Sequence, residues 1–332
     1  MTRKVLITPE CLYEQPGRHV ELFQGNGFEV EYPEDSTFTR GHYSLEESVR
    51  VLAPYDAVIA GSEPYAAELL DRLPNLKVIA RFGVGYDPVN VPHCTKLSKA
   101  VTITPASTHE AVAELTLALI FAVAKSIIPN DISTREGAWS RVVLYPLRER
   151  VIGLVGLGRI GRSTAIRAKA LGMQVIAHDQ FADPTFVQEQ GIEMVSLEEL
   201  LKRSDYVSLH APMLPETKHL INKQTLALMK PDSVLVNTSR GGLVCEADLL
   251  EALNSGQIRA AALDVFEQEP PSTDNPLFQL KNVIVSPHMA GLDHVSVANM
   301  AFEAAQCIVK LSQNNWPEGK VVNSELKTSW SW

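Results

Sequence analysis

The chain is short of positive charge, of closely spaced cysteines and of long apolar runs, and each shortage removes a class of function. Thirty Lys and Arg against 39 Asp and Glu leave a formal net charge of -9, the wrong sign to attract a phosphate backbone or an anionic membrane surface. Neither nucleic acid nor a membrane is an expected partner. The longest apolar stretch runs from Leu115 to Ala124, with Thr116 inside it and Glu114 and Lys125 on either side. It stops well short of the ~20 residues that span a bilayer, so it reads as a buried helix. The N-terminus, Met1-Thr2-Arg3-Lys4 before Val5-Leu6-Ile7 and Pro9-Glu10, has no apolar run long enough for a secretion signal, and a cytoplasmic location is expected. Cys11, Cys94, Cys245 and Cys307 lie far apart, without a CxxC pair or a histidine at ligand spacing; neither a disulfide framework nor a metal site is indicated.

What is present is material for two cores. At roughly 100–200 residues per domain, 332 residues with 45% hydrophobic composition suggest two domains. Short apolar runs alternate with longer amphipathic segments, the pattern of βαβ units in parallel sheets buried on both faces. The first series predicts strands at Lys4–Ile7, Phe28–Glu31, Asp56–Ala60, Leu76–Ala80 and Val101–Ile103, with helices near Gly17–Asn26, Leu45–Leu52 and Pro64–Leu73. A long helix follows from Thr108 to Ser126, which Thr108 would cap, with Ala111, Leu115, Ala118 and Ala122 on one face. The second series predicts six strands, Val151–Val155, Gln174–His178, Tyr206–His210, Ser233–Asn237, Ala260–Asp264 and Asn282–Ser286. A last helix, Val295 to Gln313, is expected to return to the first domain. The fold class is thus α/β with two doubly wound parallel sheets, residues 1–101 and 292–332 forming one domain and 102–291 the other.

Strand Val151–Val155 runs into Gly156-Leu157-Gly158-Arg159-Ile160-Gly161 and then a helical stretch to Leu171. The first glycine permits a tight turn, the second lets backbone approach a pyrophosphate, and the third lets helix pack on strand. The bland alternative is a glycine-rich loop with no ligand. The strand before it, the helix after it and Asp179 about 20 residues on supply the context that the motif requires. A carboxylate there accepts bonds from a ribose 2′-hydroxyl and repels a 2′-phosphate, so NAD is favoured over NADP.

Ligands of open parallel sheets bind beyond the carboxyl ends of the strands. There the second series places His210-Ala211-Pro212, Thr238-Ser239-Arg240, Glu267-Gln268-Glu269 and Pro287-His288. Reduction of a 2-oxo acid needs a cation for the carboxylate and carbonyl, an acid to protonate the developing alkoxide, and a group that keeps this acid charged. Arg240, His288 and Glu269 are residues of the right kind: a planar guanidinium that grips a carboxylate, an imidazole that titrates near neutrality, and a carboxylate that stabilises imidazolium. Singly, each also reads as an ordinary ion pair, loop acid or structural histidine.

These motifs, with Leu209-His210-Ala211-Pro212, Asn237-Thr238-Ser239-Arg240-Gly241-Gly242, Ala262-Leu263-Asp264-Val265-Phe266-Glu267 and Ser286-Pro287-His288-Met289-Ala290-Gly291, resemble the NAD-dependent D-2-hydroxyacid dehydrogenases, which include phosphoglycerate dehydrogenase and hydroxypyruvate reductase. Arg81-Phe82-Gly83-Val84-Gly85-Tyr86-Asp87 is similar to that family's substrate loop, and Glu110-Ala111-Val112-Ala113-Glu114-Leu115 to its interdomain helix. The resemblance implies a Rossmann NAD-binding domain inserted into a flavodoxin-like substrate domain, with Arg240, Glu269 and His288 catalytic. It implies NAD contacts at Gly156, Gly158, Arg159, Ile160, Gly161, Asp179, His210, Ala211, Pro212, Thr217, Thr238, Ser239, Arg240, Asp264, His288 and Gly291. Substrate contacts are implied at Glu63, Arg81, Arg240 and His288 and at the backbone of Val84 and Gly85, in a cleft between the domains. It also implies a homodimer through about Glu110 to Arg150, including Trp139.

Phosphoglycerate-specific members carry basic residues where this chain has Gly61-Ser62-Glu63-Pro64-Tyr65. Glu63 would repel a phosphate, though Arg81 would attract one, and no serine-binding regulatory domain is expected. An unphosphorylated acid such as hydroxypyruvate, glyoxylate or a sugar-derived acid is the expected substrate, with 3-phosphoglycerate as the alternative. Members of this fold that act as NAD-responsive corepressors supply a further, non-enzymatic alternative.

Overall fold

The computed structural model describes residues 2–332. The chain divides into two compact units, one running up to Thr108 and resuming at Gly291–Trp332, the other His109–Ala290. The divisions fall beyond Thr102 because Ile103 N–H donates to Lys320 O and Thr104 N–H to Gly83 O, both at 2.9 Å. Those bonds hold the segment on the first unit.

The sheet of the first unit contains β1 (Arg3–Ile7), β2 (Phe28–Glu31), β3 (Ala57–Ala60), β4 (Val78–Arg81) and β5 (Ala100–Thr102), in the order β2-β1-β3-β4-β5. All pairings are parallel, and the order is flavodoxin-like, reversing between β1 and β3. Side chains alternate across each strand. Val5, Ile7, Ile59 and Val78 therefore enter one core with Phe23 and with Ala304 and Ile308 of the helix His294–Ser312, while Leu6, Val58 and Ile79 enter another with Leu52, Leu69 and Leu70. Trp330 donates its indole N–H to Leu311 O at 3.0 Å, and Trp332 meets Phe28 edge-on.

The second unit holds seven parallel strands rather than six: β6 (Val151–Val155), β7 (Gln174–His178), β8 (Glu193–Met194), β9 (Tyr206–Leu209), β10 (Val234–Asn237), β11 (Ala260–Leu263) and β12 (Val283–Val285). Their order, β12-β11-β10-β9-β6-β7-β8, is that of a dinucleotide-binding sheet. The extra strand, β8, has two exposed residues on the sheet edge, too short to show a period in the sequence.

The long helix spans His109–Ala124, and a second, Ile127–Arg135, follows at a bend of 56°. Among the described residues no single helix is long and apolar enough to cross a membrane. Of the four residues expected on one face, Ala111 alone is buried. Ala113, Thr116, Leu117, Ile120 and Ala124 are enclosed, whereas Ala118 is exposed and Leu115 and Ala122 are half-buried. A helix apolar on nearly every side has no stripe from which to read its orientation.

Candidate active site

Strand β6 ends at the turn Gly156-Leu157-Gly158, from which the helix Arg159–Ala170 starts. Gly156 has φ +99, and a Cβ there would lie 2.7 Å from Ala211 N, while one on Gly161 would lie 2.2 Å from Gly156 O. Both positions exclude any side chain. A Cβ on Gly158 would meet nothing within 4 Å, so the second glycine faces open space where a phosphate can approach. No side chain caps the first turn of the helix, leaving its N–H groups to an anion. Asp179 closes β7 and turns toward this loop, accepting Leu157 N–H on one oxygen and Phe181 N–H on the other, both at 2.6 Å. Beside the turn, His210 holds Ser208 Oγ at 3.0 Å through Nε2, whereas its Nδ1 is buried without a partner among the described residues. Burial pulls its imidazole down to about 4. An enclosed, neutral ring beside an open glycine cradle fits a dinucleotide that brings polar atoms of its own.

Other residues expected at the cofactor offer backbone more than side chain. The Thr217 hydroxyl donates to Pro212 O and accepts Leu214 N–H, both at 2.8 Å. Ser239 Oγ donates to Ala211 O at 2.6 Å, and the hydroxyls of Thr238 and Thr116 bond each other at 2.9 Å. Arg159 is exposed at the start of its helix, with Ile160 half-buried. Asp264 is 0% exposed. Its carboxylate accepts Ser286 Oγ–H, Met289 N–H and Ala290 N–H at 2.5, 3.0 and 2.9 Å, and its carbonyl accepts His288 N–H at 2.7 Å. These bonds commit the Asp264 side chain to shaping the turn that carries His288. Gly291 begins the second stretch of the other unit.

That turn brings the candidate acid and its partner together. His288 sits at φ +49, an unusual conformation for a non-glycine residue. Its Nδ1 lies 2.6 Å from Glu269 Oε2, and Glu269 Oε1 accepts Phe266 N–H at 3.0 Å. Burial alone would raise the Glu269 carboxyl, but the hydrogen bond and charge of His288, the Phe266 N–H and the Arg240 charge together hold it below the usual range. Arg240 is delivered by a turn that Asn237 braces, its side chain accepting Ser239 N–H at 3.1 Å and donating to Arg240 O at 2.8 Å. At the next residue, a Cβ on Gly241 would lie 1.8 Å from Phe266 C and O; only glycine lets the Arg240 turn close against the Glu269 loop. The bracing roles of Asn237 and Asp264 were not read from the sequence, where the one clue is an asparagine and an aspartate closing strands just before turns.

The residues expected to meet the substrate from the first unit behave differently from one another. Arg81 folds its own loop by donating Nε–H to Gly85 O at 3.0 Å, and Val84 and Gly85 are half-buried within it. Glu63, expected to meet the substrate and to repel a phosphate, is 2% exposed and turned inward. Its carboxylate accepts the hydroxyls of Thr8, Tyr65 and Thr39 at 2.6, 2.9 and 3.0 Å.

Residues 117–290, more than half of the chain, match the model of the D-isomer specific 2-hydroxyacid dehydrogenase NAD binding domain. The chain is 39% identical over 271 residues to a glyoxylate reductase of Korarchaeum cryptofilum, covering 80% of this chain and 81% of that one. It is 37% identical over 297 residues to a D-3-phosphoglycerate dehydrogenase of Archaeoglobus fulgidus, covering 89% of this chain but 55% of that longer one. A solved D-lactate dehydrogenase from Aquifex aeolicus, complexed with NAD and lactic acid, superposes with a TM-score of 0.81 at 28% identity, covering 96% of this chain and 99% of that one. The glycine cradle, the parallel sheets and these likenesses have one explanation: the chain belongs to the D-isomer specific 2-hydroxyacid dehydrogenases, nicotinamide-dependent oxidoreductases acting on the CH–OH group of 2-hydroxy acids.

Proposed function

We propose that the protein interconverts a small unphosphorylated 2-oxo acid and its D-2-hydroxy acid, with NAD preferred to NADP. The observation that carries the catalytic assignment is the 2.6 Å pair of His288 Nδ1 and Glu269 Oε2 at the carboxyl ends of the cofactor-type sheet. The dinucleotide, when bound, supplies the hydride. Glu269 takes Nδ1–H, leaving Nε2 as the atom that protonates the developing alkoxide in reduction and removes that proton in oxidation. Arg240 binds the substrate carboxylate and polarises the carbonyl. The backbone N–H groups of Val84 and Gly85, in the loop that Arg81 folds, are likewise proposed to bind substrate. Asp179, fixed by two backbone N–H groups, receives the ribose hydroxyls and repels a 2′-phosphate.

The test is NADH oxidation with glyoxylate, pyruvate, hydroxypyruvate and 3-phosphohydroxypyruvate. Turnover of the unphosphorylated acids is expected; a kcat/KM highest for the phosphorylated acid would assign the phosphoglycerate reaction instead, and NADH binding without turnover of any acid would remove the enzymatic reading.

A homodimer through residues 110–150 belongs to the same proposal. Ile127, Ile128, Ile132, Trp139 and Val143 are exposed there, Trp139 by 79% and Val143 by 97%, and clustered apolar exposure of this kind marks a contact surface. Sedimentation should give a dimer mass that Trp139→Glu reduces to a monomer; a monomeric wild type would refute it.

A further inference from the structure

The inward turn of Glu63 leaves a buried carboxylate for which the proposed chemistry has no use. It lies beyond the carboxyl ends of β1 and β3, at the point where the strand order of the first sheet reverses and where open sheets of this type place their ligands. Its bonds have a definite polarity. A carboxylate only accepts, so the Thr8 and Thr39 hydroxyls donate to it and must present lone pairs elsewhere. Those lone pairs accept Gly61 N–H and Ser62 N–H, each at 3.0 Å. Glu63 thereby fixes, through two threonines, the turn that leads into it. Ser62 Oγ adds a bond to Thr39 O at 2.7 Å, and a Cβ on Gly61 would lie 1.8 Å from Thr39 Oγ1, so the turn has little room to take another path. Ser62 itself is exposed.

The third donor extends the network to a second loop. Tyr65, whose hydroxyl donates to Glu63, gives its backbone N–H to Pro88 O at 2.8 Å and accepts Asn90 N–H at 3.0 Å. Pro88 to Asn90 directly follow the loop Arg81–Asp87, and Arg81 reaches back to Ala60 O at 3.4 Å. The turn after β3 and the loop after β4 are thus tied to one carboxylate.

We propose that Glu63 is a positioning residue for substrate selection, a role that rests on the dehydrogenase reading: its carboxylate holds the Gly61–Ser62 turn and, through Tyr65, the loop that follows Arg81 in the shape that discriminates among 2-oxo acids by their side chains. Glu63→Gln keeps size, and its amide oxygen can still accept the Thr8 and Tyr65 hydroxyls, but its NH2 then meets Thr39 Oγ1, whose O–H must turn away and loses its acceptor beside the Ser62 N–H that it holds. The experiment measures KM and kcat for glyoxylate, pyruvate and hydroxypyruvate, the Kd of NADH by fluorescence, and Tm, for wild type, Glu63→Gln and the milder Tyr65→Phe. In Glu63→Gln, KM is expected to rise about tenfold for the preferred acid, with kcat changed less than about threefold and the ratio of kcat/KM between the best and worst acid reduced. NADH Kd stays at the wild-type value. Tyr65→Phe shows the same pattern in smaller measure, and carries the test if Glu63→Gln does not fold. Unchanged KM values, or a fall in kcat/KM by one common factor for all acids alongside a lower Tm, would overturn the proposal and leave Glu63 a structural residue. A wild type that turns over none of the acids would remove the dehydrogenase reading, and this role with it.

Discussion

His288 Nδ1 and Glu269 Oε2 stand 2.6 Å apart, and the second oxygen of the same carboxylate is fixed by Phe266 N–H. The hydrogen bond and charge of His288 help to hold the Glu269 carboxyl below its usual range, and Glu269→Gln removes the negative charge that favours the protonated ring. The high-pH limit of oxo-acid reduction should therefore move toward acid in a kcat/KM profile. A shift toward alkali would contradict the pairing. His288→Ala should lower kcat by about 10²–10⁴-fold with NADH affinity close to wild type.

Arg240→Lys keeps the charge but loses the planar fork. KM for the oxo acid should rise about tenfold or more, with NADH Kd little changed. Wild-type steady-state kinetics in this variant would argue against carboxylate recognition by Arg240.

Asp179→Asn removes the charge and retains one oxygen for the backbone. A charged hydrogen bond contributes about 1.5–3 kcal/mol, so NADH Kd should rise roughly 10-fold or more, and the preference for NADH over NADPH should narrow. Fluorescence titration with both dinucleotides checks this, and an unaltered preference would show that selectivity lies elsewhere.

His210 makes stability depend on pH. Its imidazole titrates near 6.5 in the unfolded chain, but burial holds it at about 4 in the folded protein. As pH falls from about 6.5 to about 4, the unfolded state takes up a proton that the folded state refuses, so stability falls with pH across that window and the loss levels off below it. Urea midpoints of wild type and His210→Asn at pH 7 and pH 5 should show the wild type losing more. Equal losses would mean that the ring is not held neutral by burial.

Trp330 packs on Trp316 and bonds Leu311 O. Trp330→Ala should destabilise the first unit by about 2 kcal/mol through lost burial, read as an earlier transition in thermal melts. An unchanged melt would show that the C-terminal indoles contribute nothing to its core.

Much of this was legible in the residues because the signals are local. The cradle is a strand, three glycines and a helix within one short stretch, and a run of four or five apolar residues between turns becomes a parallel strand buried along most of its length. Where the signal was weak, the reading failed. Strand β8 has two exposed residues, and the helix His109–Ala124 is apolar on so many sides that the face of Ala111, Leu115, Ala118 and Ala122 does not mark its buried side. Glu63 was read as a charge beside the substrate because it stands in the loop where the phosphoglycerate-specific members that the chain resembles carry basic residues. The three hydroxyls that enclose it come from positions 8, 39 and 65, and their convergence follows only from the strand order.

The sequence by itself determined the α/β class, the glycine cradle and the identities of Arg240, Glu269 and His288, because backbone conformation and side-chain chemistry are written residue by residue. Tertiary structure decided which polar groups meet. It set the imidazole of His288 against Glu269, committed Asp264 to the turn that makes this contact, and turned Glu63 inward, because a buried donor or acceptor must find its partner wherever packing brings one, at any distance along the chain.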